Sequence, residues 1–200
     1  MTGAVTAYRR LRTRATVVRD EGGYELGAGH ANPVLFEEFL GEMLEAGFPA
    51  VVWEPFSVPD GTPASFELCD DIGVELVSHS VRSGVPRVVE ADSTVMGPGR
   101  EIGGMFVHPP YFGCNPFSQV EGELSMAADE ASYRAALSRT FSLGLAAMER
   151  GGLACVVGRR YRRVVEVKLD EWMAEDLEDV GFSLCAVMMS DPDVAILART

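Results

Sequence analysis

His108-Pro109-Pro110-Tyr111 closes the apolar run Ile102-Gly103-Gly104-Met105-Phe106-Val107, and these residue types in this order make a rigid ledge for a planar amine. Each proline holds φ at about −65° and has no N–H, so the carbonyls of His108 and Pro109 are left to accept hydrogen bonds from a ligand. Tyr111 adds a flat face for stacking, and Phe112-Gly113 lets the chain turn away at once. Pro-Pro-Tyr also occurs in polyproline loops, and the surrounding residues decide between the two readings.

Those surroundings hold further chemistry-bearing residues at the ends of apolar runs. Glu54-Pro55-Phe56 follows one such run and leads into a turn-rich loop ending in Gly61-Thr62. Glu75 lies about twenty residues beyond that loop, the spacing at which a nucleoside-binding α/β unit sets an acid on ribose hydroxyls. Asp92-Ser93 follows a third run, and a carboxylate there can accept a hydrogen bond from an exocyclic amine. Either acid alone carries little weight in a chain this acidic. Two basic knots complete the set, one of Arg9, Arg10, Arg12, Arg14 and Arg19, the other of Arg159, Arg160, Arg162 and Arg163. Solvated loops explain both equally well.

The elements that must position these residues are legible in the pattern. Residues 14–19 are expected to form a short strand. From Pro33 the apolar positions Leu35, Phe36, Phe39, Leu40, Met43 and Leu44 recur at helical steps until Gly47. Strands are expected at 49–53, 73–77, 86–90, 102–107 and 153–157, with helices at about 63–70, 128–149 and 170–179; Gly151-Gly152 is expected to cap the long helix. A closing hairpin is expected over 182–198. Strands alternating with helices point to a mostly parallel sheet, and in such sheets ligands bind outside the carboxyl ends of the strands.

Read together, the order and spacing of these stations resemble the amino-methylating DNA methyltransferases that use S-adenosylmethionine, of the type with an Asp/Asn/Ser/His-Pro-Pro-Tyr motif. Gly29-His30-Ala31-Asn32-Pro33 resembles the family's leading segment, and residues 52–62 resemble its first cofactor loop. Ile72-Gly73-Val74-Glu75 resembles the ribose-binding acid segment, and Glu90-Ala91-Asp92-Ser93 the third motif. Glu123-Leu124-Ser125, the helix around Tyr133 and the Gly-Gly-then-strand stretch 151–158 are similar to the elements that follow. The likeness spans roughly residues 29–198.

The resemblance implies an α/β chain with the Rossmann-like class I methyltransferase fold, its mostly parallel sheet closed by an antiparallel hairpin. Residues 29–200 would form one methyltransferase-like domain, and 1–28 a basic flanking segment. It implies S-adenosylmethionine held by His30, Glu54, Pro55, Phe56, Gly61, Thr62, Glu75, Asp92 and Ser93. The catalytic residues would be His108, Pro109, Pro110 and Tyr111. Arg159, Arg160, Arg162 and Arg163 would hold phosphates of a nucleic acid, DNA before RNA. The expected reaction is methylation of adenine N6 or cytosine N4, with the base out of its stack and lying against Tyr111 while the Pro109 carbonyl and the His108 side chain accept its amino hydrogens.

Two departures keep alternatives open. Val58 and Pro59 stand where glycines usually let the backbone approach the cofactor, and the chain has no room for a target-recognition region. A partner protein would then supply recognition, or the chain would be a methyltransferase-like subunit impaired in catalysis. RNA and protein-amide acceptors, and an unrelated nucleotide-binding domain, also fit.

Composition bounds these readings. A chain of 200 residues, 47% of them apolar, suits one globular domain with a sizeable core. The net charge of −13 argues against indiscriminate coating of nucleic acid, although a local basic groove is compatible with it. Cys69, Cys114, Cys155 and Cys185 are scattered without metal-ligand spacing, so no metal site is expected. Reduced thiols, the lack of a membrane-length apolar run and the lack of a signal-like amino terminus lead to the expectation of a cytoplasmic protein.

Overall fold

The computed structural model describes residues 7–10, 18–19, 25–26, 33–57, 62–81, 84, 86–112, 123–162, 166–190 and 193–200. In chain order the elements are β1 (Ala7–Arg10), β2 (Val18–Arg19), β3 (Glu25–Leu26), α1 (Pro33–Glu45), β4 (Val51–Glu54), α2 (Thr62–Ile72), β5 (Glu75–Ser80), β6 (Val89–Glu90) and β7 (Ile102–Val107). Then follow a 3-10 turn (Leu124–Met126), α3 (Glu130–Ala147), β8 (Met148–Arg162), β9 (Glu166–Lys168), α4 (Leu169–Val180), β10 (Ser183–Ser190) and β11 (Asp193–Arg199). The main sheet runs β6-β5-β4-β7-β8-β11-β10-β1. Strands β6, β5, β4, β7 and β8 are parallel, and β11 lies antiparallel between β8 and β10, so the expected closing hairpin is present.

Helices cover both faces of this sheet, which is why β7 is buried at every position and reads as a continuous apolar run. Leu35, Phe36, Phe39, Leu40 and Met43 of α1 pack with Phe66 and Cys69 of α2 against Val52, Phe106, Cys155 and Val157. Their helical spacing puts one stripe of α1 on the sheet, and the Phe36 ring meets Phe106 edge-on at 4.8 Å. On the other face Tyr133, Leu137 and Phe141 of α3 and Met173 and Leu177 of α4 pack on Trp53, Met105, Val107 and Val156. Full burial of each such side chain contributes about 1.5–3 kcal/mol, so these two stripes fix where the strand ends lie.

Asp129 starts α3 by accepting the Ser132 backbone N–H at 2.7 Å, and the Ser132 hydroxyl, followed by that N–H, holds its carboxyl below the usual range. Asp129→Ala is expected to lower stability in urea unfolding, and no change would remove the cap from the account of α3.

Several boundaries differ from expectation for physical reasons. The second parallel strand starts at Glu75 rather than 73, because Gly73 adopts φ +73° and ends α2 while Val74 N–H donates back to the Cys69 carbonyl. It also runs on through Ser78-His79-Ser80, with His79 and Ser80 paired to Val89 and Glu90. Gly151-Gly152 does not cap the long helix. Met148 is the C-cap, and β8 begins there with a register shift opposite Ile102 and Gly104. Of the expected strand over 14–19, Val18–Arg19 is described and pairs with β3, residues 14–17 lie outside the described residues, and Ala7–Arg10 joins the main sheet beside β10. No described helix is long and apolar enough to cross a membrane.

Candidate active site

Strand order reverses between β4 and β7: from β4 the chain proceeds outward to β5 and β6, then returns to β7 on β4's other side. Loops leaving the two strands diverge there, which opens a crevice at their carboxyl ends. This edge gathers Glu54, Pro55 and Phe56 after β4, Asp92 and Ser93 after β6, and His108, Pro109, Pro110 and Tyr111 after β7. Arg159, Arg160 and Arg162 belong to the part of β8 that extends past the same edge, where Arg160 and Arg162 pair with Lys168 and Glu166 of β9. The second basic knot is therefore an extended ribbon rather than a loop. Thr62 opens α2, and His30, Gly61 and Arg163 lie outside the described residues.

Glu75 is not brought to this edge. It is the first residue of a parallel strand, so it sits at the opposite end of the sheet, exposed and paired with Arg100. The shift of β5 toward higher residue numbers puts Ser78, His79 and Ser80 at the carboxyl end instead.

Those residues build a buried polar cluster that sequence reasoning did not include. The Glu54 carboxylate accepts the Ser78 hydroxyl at 2.7 Å and the Ser57 hydroxyl at 3.3 Å. Ser57 N–H donates to the His79 carbonyl at 2.8 Å, tying the β4 loop to β5. His79 Nδ1 lies 3.4 Å from Trp53 Nε1 and 3.3 Å from Ser93 Oγ, and the Ser93 hydroxyl donates to the Pro55 carbonyl at 2.7 Å. Thr140 of α3 donates to the Ser93 carbonyl at 3.1 Å. The signal available in the sequence was Ser-His-Ser directly after an apolar strand, the same apolar-to-polar change that marks Glu54-Pro55.

Burial dominates the electrostatics of this cluster. It pushes the Glu54 carboxyl up against the opposing pull of its two serine donors, and it pushes the His79 imidazole down. For Glu54 the folded pKa exceeds the unfolded one, so its contribution is full below about 4.5 and is lost as pH rises through the folded pKa. For His79 the sign is opposite: stability is full above about 6.5 and falls as the solution is acidified below it. Glu54→Gln keeps an acceptor for Ser78 but cannot ionise. Its stability relative to the parent is expected to rise with pH from about 4.5 and then level off, read by urea unfolding across pH 4.5–8. A difference that does not change with pH would sink this account of Glu54.

At the ledge, His108 Nε2 lies 2.8 Å from the Tyr111 hydroxyl, with ring centroids 5.6 Å apart. The Pro110 carbonyl accepts the Tyr133 hydroxyl at 3.2 Å, and the Phe112 and Tyr133 rings are 5.6 Å apart. Tyr111 is only 7% exposed and belongs to the apolar core on the α3 side. The geometry therefore differs from the expectation of an open tyrosine face beside a histidine acceptor, because the two side chains engage each other. Near the start of α3, the carboxylate of buried Glu123 accepts the Ser125 hydroxyl at 2.7 Å.

No protein-family model and no curated protein sequence matches this chain. Solved structures do match its shape. A 1,6-didemethyltoxoflavin-N1-methyltransferase from Burkholderia thailandensis, with bound 1,6-didemethyltoxoflavin and S-adenosylhomocysteine, superposes with a TM-score of 0.56 at 10% identity, covering 84% of this chain and 79% of that one. A glycopeptide N-methyltransferase complexed with sinefungin gives 0.56 at 12% identity over 92% of this chain and 99% of its own. A SAM-dependent methyltransferase from Archaeoglobus fulgidus gives 0.52 at 14% identity over 87% and 97%. The fold is that of the class I methyltransferases. Within the methyltransferase fold the β4–β7 crevice is the topological switch point, and the His108-Pro-Pro-Tyr111 ledge leaves the strand that borders it.

Proposed function

We propose that this chain is an S-adenosylmethionine-dependent methyltransferase acting on an exocyclic amino group of a nucleobase, adenine N6 or cytosine N4 in DNA. The observation that carries the reading is the His108-Pro109-Pro110-Tyr111 ledge leaving β7 at the switch point, beside the Glu54-Pro55 turn of β4. The shared fold with methyltransferases crystallised with S-adenosylhomocysteine or sinefungin supports the choice of donor.

The residues at the edge suit that donor at its two ends. Asp92 is half-buried, and its Oδ1 is fixed by the Thr94 N–H at 2.8 Å, which suits it to an adenine amine. The Glu54-Pro55-Phe56-Ser57 turn, held by Ser93 and His79, would face the methionine end. The ribose hydroxyls find no carboxylate at the end of β5, and Ser80 is the residue there. When bound, the donor supplies an electrophilic methyl on a sulfonium.

This chain's own part is placement. The Pro109 carbonyl accepts an amino hydrogen of the target, which localises the nitrogen lone pair toward the methyl, and His108 with Tyr111 keeps the ledge in shape. The Glu54–Ser57 turn and Asp92 would hold a donor with its methyl presented to that nitrogen, and one amine proton would pass to solvent. The β8–β9 ribbon bearing Arg159, Arg160 and Arg162 would run along the phosphates, with recognition of the target sequence left to a partner protein. Residues 29–200 act as one catalytic unit in this reading.

Tritiated methyl transfer to DNA, RNA and protein assayed in parallel tests the proposal. Incorporation into DNA at an adenine or cytosine amine is expected, and label only in RNA or protein would replace the acceptor.

A second reading, a methyltransferase-like regulatory subunit, draws on one observation: the acid expected at the ribose lies at the far edge of the sheet. Titration calorimetry with S-adenosylmethionine separates the two, since saturable binding favours the enzyme and an absence of heat favours the subunit.

A further inference from the structure

We propose that α3 is the alignment element of the crevice, with Tyr133 and Thr140 as positioning residues that hold the acceptor ledge and the donor loop in register. The inference rests on the methyltransferase reading of this edge and adds to it the device that sets the two halves against each other.

Tyr133 and Thr140 both lie in α3, spaced by close to two turns at about 3.6 residues per turn, so they share one face of a single rigid rod. Both are buried, at 1% and 0% exposure. Tyr133 donates its hydroxyl to the Pro110 carbonyl at 3.2 Å, on the ledge that follows β7. Thr140 donates to the Ser93 carbonyl at 3.1 Å, and Ser93 in turn donates to the Pro55 carbonyl at 2.7 Å, on the loop that follows β4. One helix face thus reaches the β7 ledge directly and the β4 loop through Ser93.

A helical threonine ordinarily spends its hydroxyl on the carbonyl one turn back. Here that contact, to Ala136, is 3.3 Å and the contact to Ser93 is shorter. The carbonyls at the ends of both chains belong to prolines, whose backbone cannot donate, so the carbonyl is the one main-chain polar group through which each of these residues can be held. His79 reinforces the same path, with Nδ1 between Trp53 Nε1 of β4 and Ser93 Oγ. Methyl transfer needs the nitrogen and the methyl at near-attack distance, and the orientation of two separate loops is what such a brace controls.

The arrangement assigns different consequences to two minimal substitutions. Tyr133→Phe keeps the ring against Phe112 and deletes the hydroxyl that bonds the ledge. It is expected to lower kcat about tenfold while the dissociation constant for S-adenosylhomocysteine stays within about twofold. Thr140→Val is close in shape and deletes the link to Ser93 together with the longer contact to the Ala136 carbonyl of its own helix. It is expected to weaken S-adenosylhomocysteine binding about fivefold, and Thr140→Ser is expected to restore it.

Deuterium exchange on the unliganded full-length chain supplies a readout that does not depend on turnover. Tyr133→Phe should speed exchange over 105–112 and spare 52–57, and Thr140→Val should do the reverse. Parent-like exchange in both segments for both variants would overturn the proposal, as would parent-like kcat and binding in an active enzyme. If the parent protein neither transfers methyl nor binds S-adenosylmethionine but the two exchange patterns hold, the brace stands and the methyltransferase reading falls.

Discussion

Methyl transfer is expected to fall about a hundredfold in His108→Ala and in Tyr111→Phe, with the double variant no slower than the slower single. The reason is the 2.8 Å contact between His108 Nε2 and the Tyr111 hydroxyl, which makes the two side chains one unit. Removing either group lets the Pro-Pro segment relax, and a misplacement near 1 Å is enough to cost about a hundredfold in rate. Tyr111→Phe is the right probe because Tyr111 is 7% exposed and packs in the core beside Tyr133 and Leu124. Its truncation to alanine would open a cavity costing about 3–5 kcal/mol and confuse inactivity with unfolding. Rates come from tritium incorporation under saturating donor, and melting temperatures control for folding. Losses that simply multiply in the double variant would show that the two residues act separately, and full activity in either single would remove them from the site.

Gly103→Ala is expected to destabilise the protein by more than about 3 kcal/mol and to reduce soluble yield sharply, whereas Gly104→Ala is expected to be milder. A methyl group at Gly103 would collide with the backbone carbonyl of Pro49, which belongs to the α1–β4 connection and has no slack to give. At Gly104 the new methyl would meet the Phe39 ring at 2.7 Å and the Met43 sulfur at 2.8 Å, of which the methionine end can shift, and the Leu153 carbonyl less closely at 3.1 Å. The pair of glycines in Ile102-Gly-Gly-Met-Phe-Val107 is thus explained by close approach of neighbours to the strand that carries the ledge. Thermal melts and urea titrations of the two variants check the order. A Gly103→Ala protein as stable as the parent would contradict the packing of Pro49 on β7.

The two expectations differ in how far the sequence could have led to them. His108-Pro-Pro-Tyr111 is a contiguous motif whose meaning follows from local chemistry: proline removes donors, the aromatic supplies a face, and the apolar run before it must be a strand. The Gly103 clash involves Pro49, distant in the chain, and nothing in either segment announces the other. The same division holds across the site. Glu54, Asp92 and His108 were placed at strand ends by the change from apolar to polar residues, and the structure brings all three to one edge. The expectation for Glu75 rests on spacing and on the resemblance of Ile72-Gly73-Val74-Glu75 to a ribose-binding segment. Spacing counts residues but does not say where α2 stops, and the left-handed Gly73 moved the start of β5 far enough to put Glu75 at the opposite end of the sheet.

By itself the sequence determined the alternation of strands and helices, the apolar stripes that cover both faces of the sheet, and the rigid ledge at its edge, because each depends on periodicity or on the backbone limits of proline and glycine. Only the tertiary structure decided which polar residues meet. It put Ser78 on the Glu54 carboxylate and set His79 beside Trp53 and Ser93. It also made α3 the common support of the Pro55 and Pro110 loops. Those contacts join segments far apart in the chain, and their partners are fixed by strand register and helix rotation, quantities that arise only when the whole sheet assembles.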